Sequence, residues 1–260
     1  MNKTELLNRL AQSAQERQLL ARVCDQMDHA RRGVPACTPF LSLAQQEAAH
    51  RLIAAAGHPR HLFSGGFADA ERKVCAFLPD WQEEDDWDSP LALVRCRWQS
   101  GEKLTHRDFL GATLGLGLDR EKVGDILVGE GSADMVVFAE LAPFLVQTLT
   151  GAGRAKLRVS QIPLEQLTVP EKQVKVIHDT VSSLRLDAVM STGFSMARGK
   201  AAALVSAGKV ELNHRPCLKS DRGVEQGDVI TCRGFGKCVL TKAGALSKKG
   251  RIIIEMERYL

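Results

Sequence analysis

Apolar residues recur at helical intervals through the first seventy positions. Between Thr4 and Met27, polar residues separate Leu6, Leu7, Leu10, Ala14, Leu19, Leu20 and Val23. That period predicts an amphipathic helix. Pro35 and Pro39 interrupt it, because a proline disfavours helical backbone at the residue before it. A second helix is expected from Ser42 to about Ala56, stopped by Gly57 and Pro59, and Gly65-Gly66 marks a turn. Residues 1–70 are expected to be a mostly helical N-terminal region.

The pattern changes over residues 71–162. Apolar runs at Val74–Leu78 and Leu91–Trp98 predict strands, with the acidic loop Glu83–Asp86 between them. A helix follows from Thr105 to about Leu116, with Thr105 as N-cap and Asp108 at its third position, a variant of the capping box. Strands at Asp125–Val128 and Met135–Phe138, a helix near Leu141–Leu149 and a strand near Leu157–Ile162 complete the segment. The order β-β-α-β-β-α-β predicts a small α+β domain of the ferredoxin-like kind. RNA-recognition motifs share this topology, but their aromatic signature is not evident here. Residues 163–182 contain Pro163, Pro170, Glu171, Lys172 and Lys175 with a short alternation at Val174 and Val176. They are expected to connect two domains.

Residues 183–260 open with two short helical patterns. In the second, Ala197, Ala201, Leu204 and Val205 form a core-facing stripe, Ser195 is the expected N-cap and Gly208 the stop. Strands are expected at Lys209–Asn213, Val229–Cys232, Lys237–Leu240 and Ile252–Ile254. The whole chain is therefore expected to be α+β.

Charge adds what periodicity cannot. The chain carries a formal +4, but Leu184–Arg251 holds 13 Lys and Arg against five Asp and Glu, a local +8. A folded, basic patch most often faces a phosphate backbone. Arg198 and Lys200 lie in the first turns of their helix with no acid from Ser195 to Lys200, although a helix start favours Asp or Glu. Such a start suits an external anion. Residues 71–162 sum to −4 and are not expected to attract nucleic acid globally.

Composition excludes other classes. Hydrophobic residues make up 44% and charged residues 25%, as in ordinary soluble domains. No apolar run is long enough to span a bilayer, and no signal peptide is evident, so membrane insertion is not expected. Seven cysteines without CxxC spacing predict reduced thiols, with no disulfide framework and no metal site. His50, His58 and His61 straddle a helix stop and are expected to be surface residues. His106-Arg107-Asp108 spells the kinase catalytic-loop triplet, but no Gly-rich loop, strand lysine or Asp-Phe-Gly accompanies it. Gly151-Ala152-Gly153 reads as a helix stop. No catalytic residue, cofactor or small-molecule substrate is expected.

Arg185-Leu186-Asp187, Ala197-Arg198-Gly199-Lys200-Ala201, Gly208-Lys209-Val210, Asn213 and Gly227-Asp228 together resemble the S4 RNA-binding domain, named for a ribosomal protein. That family usually has Ser where this chain has Ala197. The triplet Arg185-Leu186-Asp187 also resembles the catalytic motif of pseudouridine synthases, some of which carry S4 domains, but here it lies inside the S4 pattern. Glu71-Arg72, Leu78-Pro79, Leu104–Ala112, Leu114–Gly117, Arg120–Leu127, Ser183–Asp187, Arg233–Gly236 and Lys248–Arg251 extend the match to the YlmH family of bacterial S4 proteins.

The resemblance implies a non-catalytic RNA-binding protein with a central RNA-binding domain at about 71–162 and an S4 domain at 183–260. It implies docking on ribosomal RNA of the large subunit, in company with tRNA, in ribosome-associated quality control of stalled nascent chains, and hence a cytoplasmic, ribosome-associated location. Arg185, Arg198, Lys200, Lys209, Lys219, Arg233 and Lys237 are the expected backbone contacts. Asn213 is grouped with them, though it is expected to shape a turn rather than read a base. Two other classes remain open: an RNA-modifying enzyme whose centre would lie in residues 1–162, and a protein-interaction module linked to cell division.

Overall fold

The first amphipathic stretch folds as two helices. α1 (Lys3–Leu10) and α2 (Ala14–Arg31) are separated by a break where Ser13 accepts the Glu16 amide at 3.1 Å and the Glu16 carboxylate accepts the Gln12 amide at 2.7 Å. This exchange satisfies amides that a helix start leaves unpaired, a local event invisible to the apolar period. α3 (Leu43–Ala55) begins at a capping box between Ser42 and Gln45. The computed structural model describes residues 3–99, 101–170 and 174–259. It divides into two units, Met1–Pro170 and Glu171–Leu260.

The strand expected at Val74–Leu78 does not join the middle sheet. It is the centre of a separate antiparallel sheet, in which β1 (Ala36–Cys37) and β2 (His61–Ser64) flank β3 (Val74–Phe77). Leu6, Leu20, Val23, Met27, Leu52 and Ile53 of the three helices close over Cys75 and Phe77. Val74 packs instead with Phe40, Leu91, Leu93 and Val136. A strand buried on both faces shows no alternation that would tell its sheet membership. The N-terminal region is therefore α+β rather than helical alone, and a boundary at residue 70 would sever its sheet.

The second half of this unit runs β4 (Leu91–Arg97), α4 (His106–Gly115), β5 (Val123–Val128), β6 (Ser132–Phe138) and α5 (Ala142–Thr148). A small hairpin, β7 (Gly151–Ala152) with β8 (Ala155–Lys156), then leads into β9 (Arg158–Ile162). The strands lie in the antiparallel order β5-β6-β4-β9, the split βαβ arrangement expected from the sequence once β3 is removed. Phe109 of α4 and Leu145 of α5 pack on Ala92, Val94, Cys96 and Met135.

Arg72 locks the two halves of the unit together. Its guanidinium donates to the carbonyls of Phe40 (2.9 Å), Val123 (3.1 Å) and Arg120 (3.3 Å), while Asp125 accepts the amides of Glu71 and Arg72 at 2.6 and 3.1 Å. Burial, with Arg72 close by, pushes the neighbouring Arg120 guanidinium down to about 10.

The second unit begins inside the expected linker. β10 (Val174–Val181) pairs along its length with β15 (Ile252–Tyr259), from Val174↔Tyr259 to Val181↔Ile252. Its Val174/Val176 alternation is thus that of a strand whose partner lies at the far end of the chain. β11 (Val210–Leu212), β12 (Arg215–Pro216), β13 (Val229–Cys232) and β14 (Gly236–Leu246) complete a sheet of order β10-β15-β14-β13-β11-β12. Two helices, α6 (Leu186–Gly193) and α7 (Arg198–Ser206), pack through Leu186, Val189, Met190, Ala201 and Val205 on Ile230, Cys238, Leu240, Ile254 and Met256.

Candidate nucleic-acid interface

The basic segment is held by a close helix–sheet contact. A Cβ at Gly193 would lie 2.7 Å from Met256 Cε and 3.2 Å from Cys238 Sγ, so glycine permits α6 to rest on the sheet. Ser195 then takes φ +51°, and α7 starts after Ala197 (φ −64°, ψ 140°). The expected Ser195 cap is therefore incorrect: a residue in the left-handed region cannot serve as the extended N-cap. Ala197 occupies that position with no side chain able to cap.

Asp187 organises the start of this helix pair. Its carboxylate, 7% exposed, accepts Arg185 Nε and Nη2 at 3.2 Å each and Arg198 Nη2 at 3.1 Å. Burial alone would raise its pKa, but the two arginines hold it below the usual carboxylate range. One acid thus orients two cations, which stay 41% and 48% exposed and leave further N–H donors outward. The amides of Leu186 and Asp187 donate to the carbonyls of Arg222 (2.8 Å) and Ser220 (3.0 Å), so the loop bearing exposed Lys219 and Arg222 is seated beside the same arginines. Arg222 is a cation the sequence reasoning passed over. Its signal was its place in Lys219-Ser-Asp-Arg222, the loop that covers the start of α6.

The other expected contacts form a second group. Lys200 Nζ lies 4.9 Å from the Phe235 ring centroid, and Phe235 meets Phe194 edge-on at 6.4 Å. Arg233 donates its amide to the Lys209 carbonyl at 2.8 Å, which joins these two basic residues across the β11–β13 edge. Lys237 Nζ sits 4.6 Å from the Tyr259 ring, and the Arg258 guanidinium 5.7 Å from Phe194. Aromatic faces thus orient several of these cations without neutralising them.

Asn213 stands apart from both groups. At φ +49°, its side-chain amide donates to Asp228 Oδ1 at 2.8 Å and its carbonyl accepts the Val229 amide at 2.9 Å. Both ends of the amide serve the turn, as its expected shaping role requires.

The first unit offers a different geometry. In an RNA-recognition motif one sheet face is open for stacked bases. Here Phe40, Val74, Leu91, Leu93 and Val136 bury that face. Arg95 on it is tied to Asp134 by two 2.6 Å hydrogen bonds. The kinase-like triplet is also accounted for. Asp108 accepts the Thr105 amide (2.8 Å) and hydroxyl (2.7 Å), which lower its pKa, and caps α4. Partial desolvation, with Arg120 nearby, lowers the pKa of His106 although the residue stays exposed at the surface.

Residues 83–166 match a family model described as "Putative RNA-binding domain in YlmH". The "Ribosome-associated protein quality control protein P2" of Bacillus subtilis (strain 168) is 37% identical over 197 residues, covering 75% of this chain and 77% of that protein. The chain belongs to the YlmH family. A solved structure of the family, "Cell division protein ylmH from Streptococcus pneumoniae", superimposes with a TM-score of 0.53 at 21% identity. It covers 61% of this chain and 98% of that one, and at this identity it shows shared fold. The α+β architecture and the family expected from the sequence are thus found. Among the described residues, no helix is long and apolar enough to cross a membrane.

Proposed function

We propose that this YlmH-family chain is a non-catalytic RNA-binding protein that docks on ribosomal RNA of the large subunit, together with tRNA, in quality control of stalled nascent chains. The observation that carries this reading is the Arg185–Asp187–Arg198 clip beside Lys219 and Arg222. A half-exposed, pre-oriented pair of guanidiniums matches phosphate oxygens in a way that mobile lysines do not. A helix pair on a small sheet supports reading the second unit as an S4-like RNA-binding domain, and residues 83–166 of the 1–170 unit are the segment the family model matches. Arg198, Lys200, Lys209, Arg233 and Lys237 extend the basic surface along α7 and the β13–β14 turn. Such a surface recognises A-form RNA through shape and phosphate position.

The experiment is sedimentation of the full chain with purified large subunits, small subunits and intact ribosomes, with and without tRNA. Co-migration with the large subunit, strengthened by tRNA, is expected. Migration at the top of every gradient contradicts the proposal. Nucleoside analysis of the recovered RNA, with chemical labelling for mass-silent pseudouridine, should show no modification. Turnover would favour the enzyme class instead.

A further inference from the structure

The net −4 of residues 71–162 conceals a local cluster of cations. At the Arg97 end of β4 a groove of about 610 Å³ is lined by Arg97, Trp98, Glu102, Arg154, Lys156 and Arg158, four of them basic and one acidic. Arg97 and Arg158 are directly opposed across the β4–β9 ladder, so their side chains leave the same face. Like charges at opposed positions destabilise a sheet. Among the described residues neither arginine, nor Arg154 or Lys156, forms an ion pair with a carboxylate. The repulsion is thus left for an external anion to relieve.

The rest of the groove is fixed in place. Trp98 Nε1 donates to the Glu102 carbonyl at 2.9 Å and its ring lies 5.5 Å from that of Phe109, yet the side chain still lines the groove. Arg154 and Lys156 project from the β7–β8 hairpin, whose Gly153 (φ +55°) is seated so closely that a Cβ would lie 3.2 Å from Asp108 Oδ1 and Leu104 Cδ2. The hairpin is thereby anchored against the capped start of α4.

We propose that this groove binds a short single-stranded RNA segment, one base stacking on Trp98 and the flanking phosphates held by Arg97, Arg158, Arg154 and Lys156. The inference rests on the RNA-binding role above and locates a site in the first unit. An aromatic platform within a cationic groove is the recurring means of holding single strands without sequence readout. The groove is of small-ligand size, which suits nucleotides rather than a duplex. Because the sheet face itself is buried, binding falls to the end of the β4–β9 pair.

The test uses the full chain and a fluorescein-labelled oligouridylate, with an abasic strand of equal length as comparison. R97Q/R158Q and R154Q/K156Q should each weaken oligouridylate binding about tenfold and flatten the slope of log K against log salt by about 1.4, two single-strand phosphate contacts at about 0.7 each. R97Q/R158Q should melt no lower than the wild type, since a repulsion is removed. The abasic strand should bind at least about fivefold more weakly to the wild type. R185Q/R198Q should lose affinity for large subunits, and adding R97Q/R158Q to it should still weaken oligouridylate binding about tenfold further. Unchanged oligouridylate binding by the groove variants, with R185Q/R198Q still losing the subunit, overturns the groove alone. If the wild type binds neither large subunits nor oligouridylate, the RNA-binding role fails with it. Equal affinity for the abasic strand overturns stacking on Trp98.

Discussion

Asp187 Oδ1 accepts a hydrogen bond from Arg198 Nη2 at 3.1 Å across the turn that joins α6 to α7. The same carboxylate holds Arg185, so one buried acid determines where two cations point. Asp187→Asn should therefore weaken both the fold and the orientation of the clip. Hydrogen bonds between charged groups contribute about 1.5–3 kcal/mol each, but both guanidiniums remain half in solvent, which screens them. A loss of about 1–2 kcal/mol in urea denaturation at neutral pH is expected. The folded pKa of Asp187 is depressed. Its contribution is thus fully present above the unfolded aspartate value of about 3.9 and is lost as pH falls through the folded value. The gap between wild type and variant should close in that acid window; a gap that is constant with pH contradicts the pairing.

The start of α7 invites the opposite change. Ala197 has extended N-cap geometry and is exposed, but it has no oxygen to accept an amide. Ala197→Ser should raise the unfolding free energy by about 0.5–1 kcal/mol. Thermal melting checks this directly. No gain would mean that the first amides of α7 are already satisfied in solution.

Burial of the middle sheet's second face can be tested at Gly124. A Cβ there would lie 2.7 Å from Phe40 Cε1 and 3.1 Å from the Val136 carbonyl oxygen. Gly124→Ala should destabilise the protein by about 1–3 kcal/mol through overpacking. Adding Phe40→Leu should recover part of that loss, giving a favourable coupling in a double-mutant cycle. Strict additivity would mean that Phe40 does not cover β5 as described.

Much of this structure was legible in the sequence where the signal is local. The Thr105/Asp108 cap, the helix pair and the βαββαβ order follow from periodicity and capping chemistry within short windows. What escaped notice depended on partners remote in sequence. β10 lies opposite β15, with Val181 beside Ile252, so its weak alternation could not be distinguished from a linker. β3 is buried on both faces and carries no period of its own. Ser195 has the residue type of a cap but the left-handed backbone of a turn. At the sites, the sum over residues 71–162 hid the opposition of Arg97 to Arg158, because charge summed along a segment says nothing of register. Arg222 reaches the vicinity of the clip through a backbone contact, its carbonyl accepting the Leu186 amide, which its charge alone does not signal.

On the proposed function, cations of the 171–260 unit hold RNA phosphates on the ribosome. The direct measurement is the affinity of the full chain for purified large subunits across a salt series, for wild type and R185Q/R198Q. With about four to six phosphates engaged, the wild-type slope of log K against log salt should lie near −3 to −5. R185Q/R198Q should flatten it by about 1.5 while leaving the circular dichroism spectrum unchanged. A flat wild-type response, or an identical slope in the variant, would contradict the account.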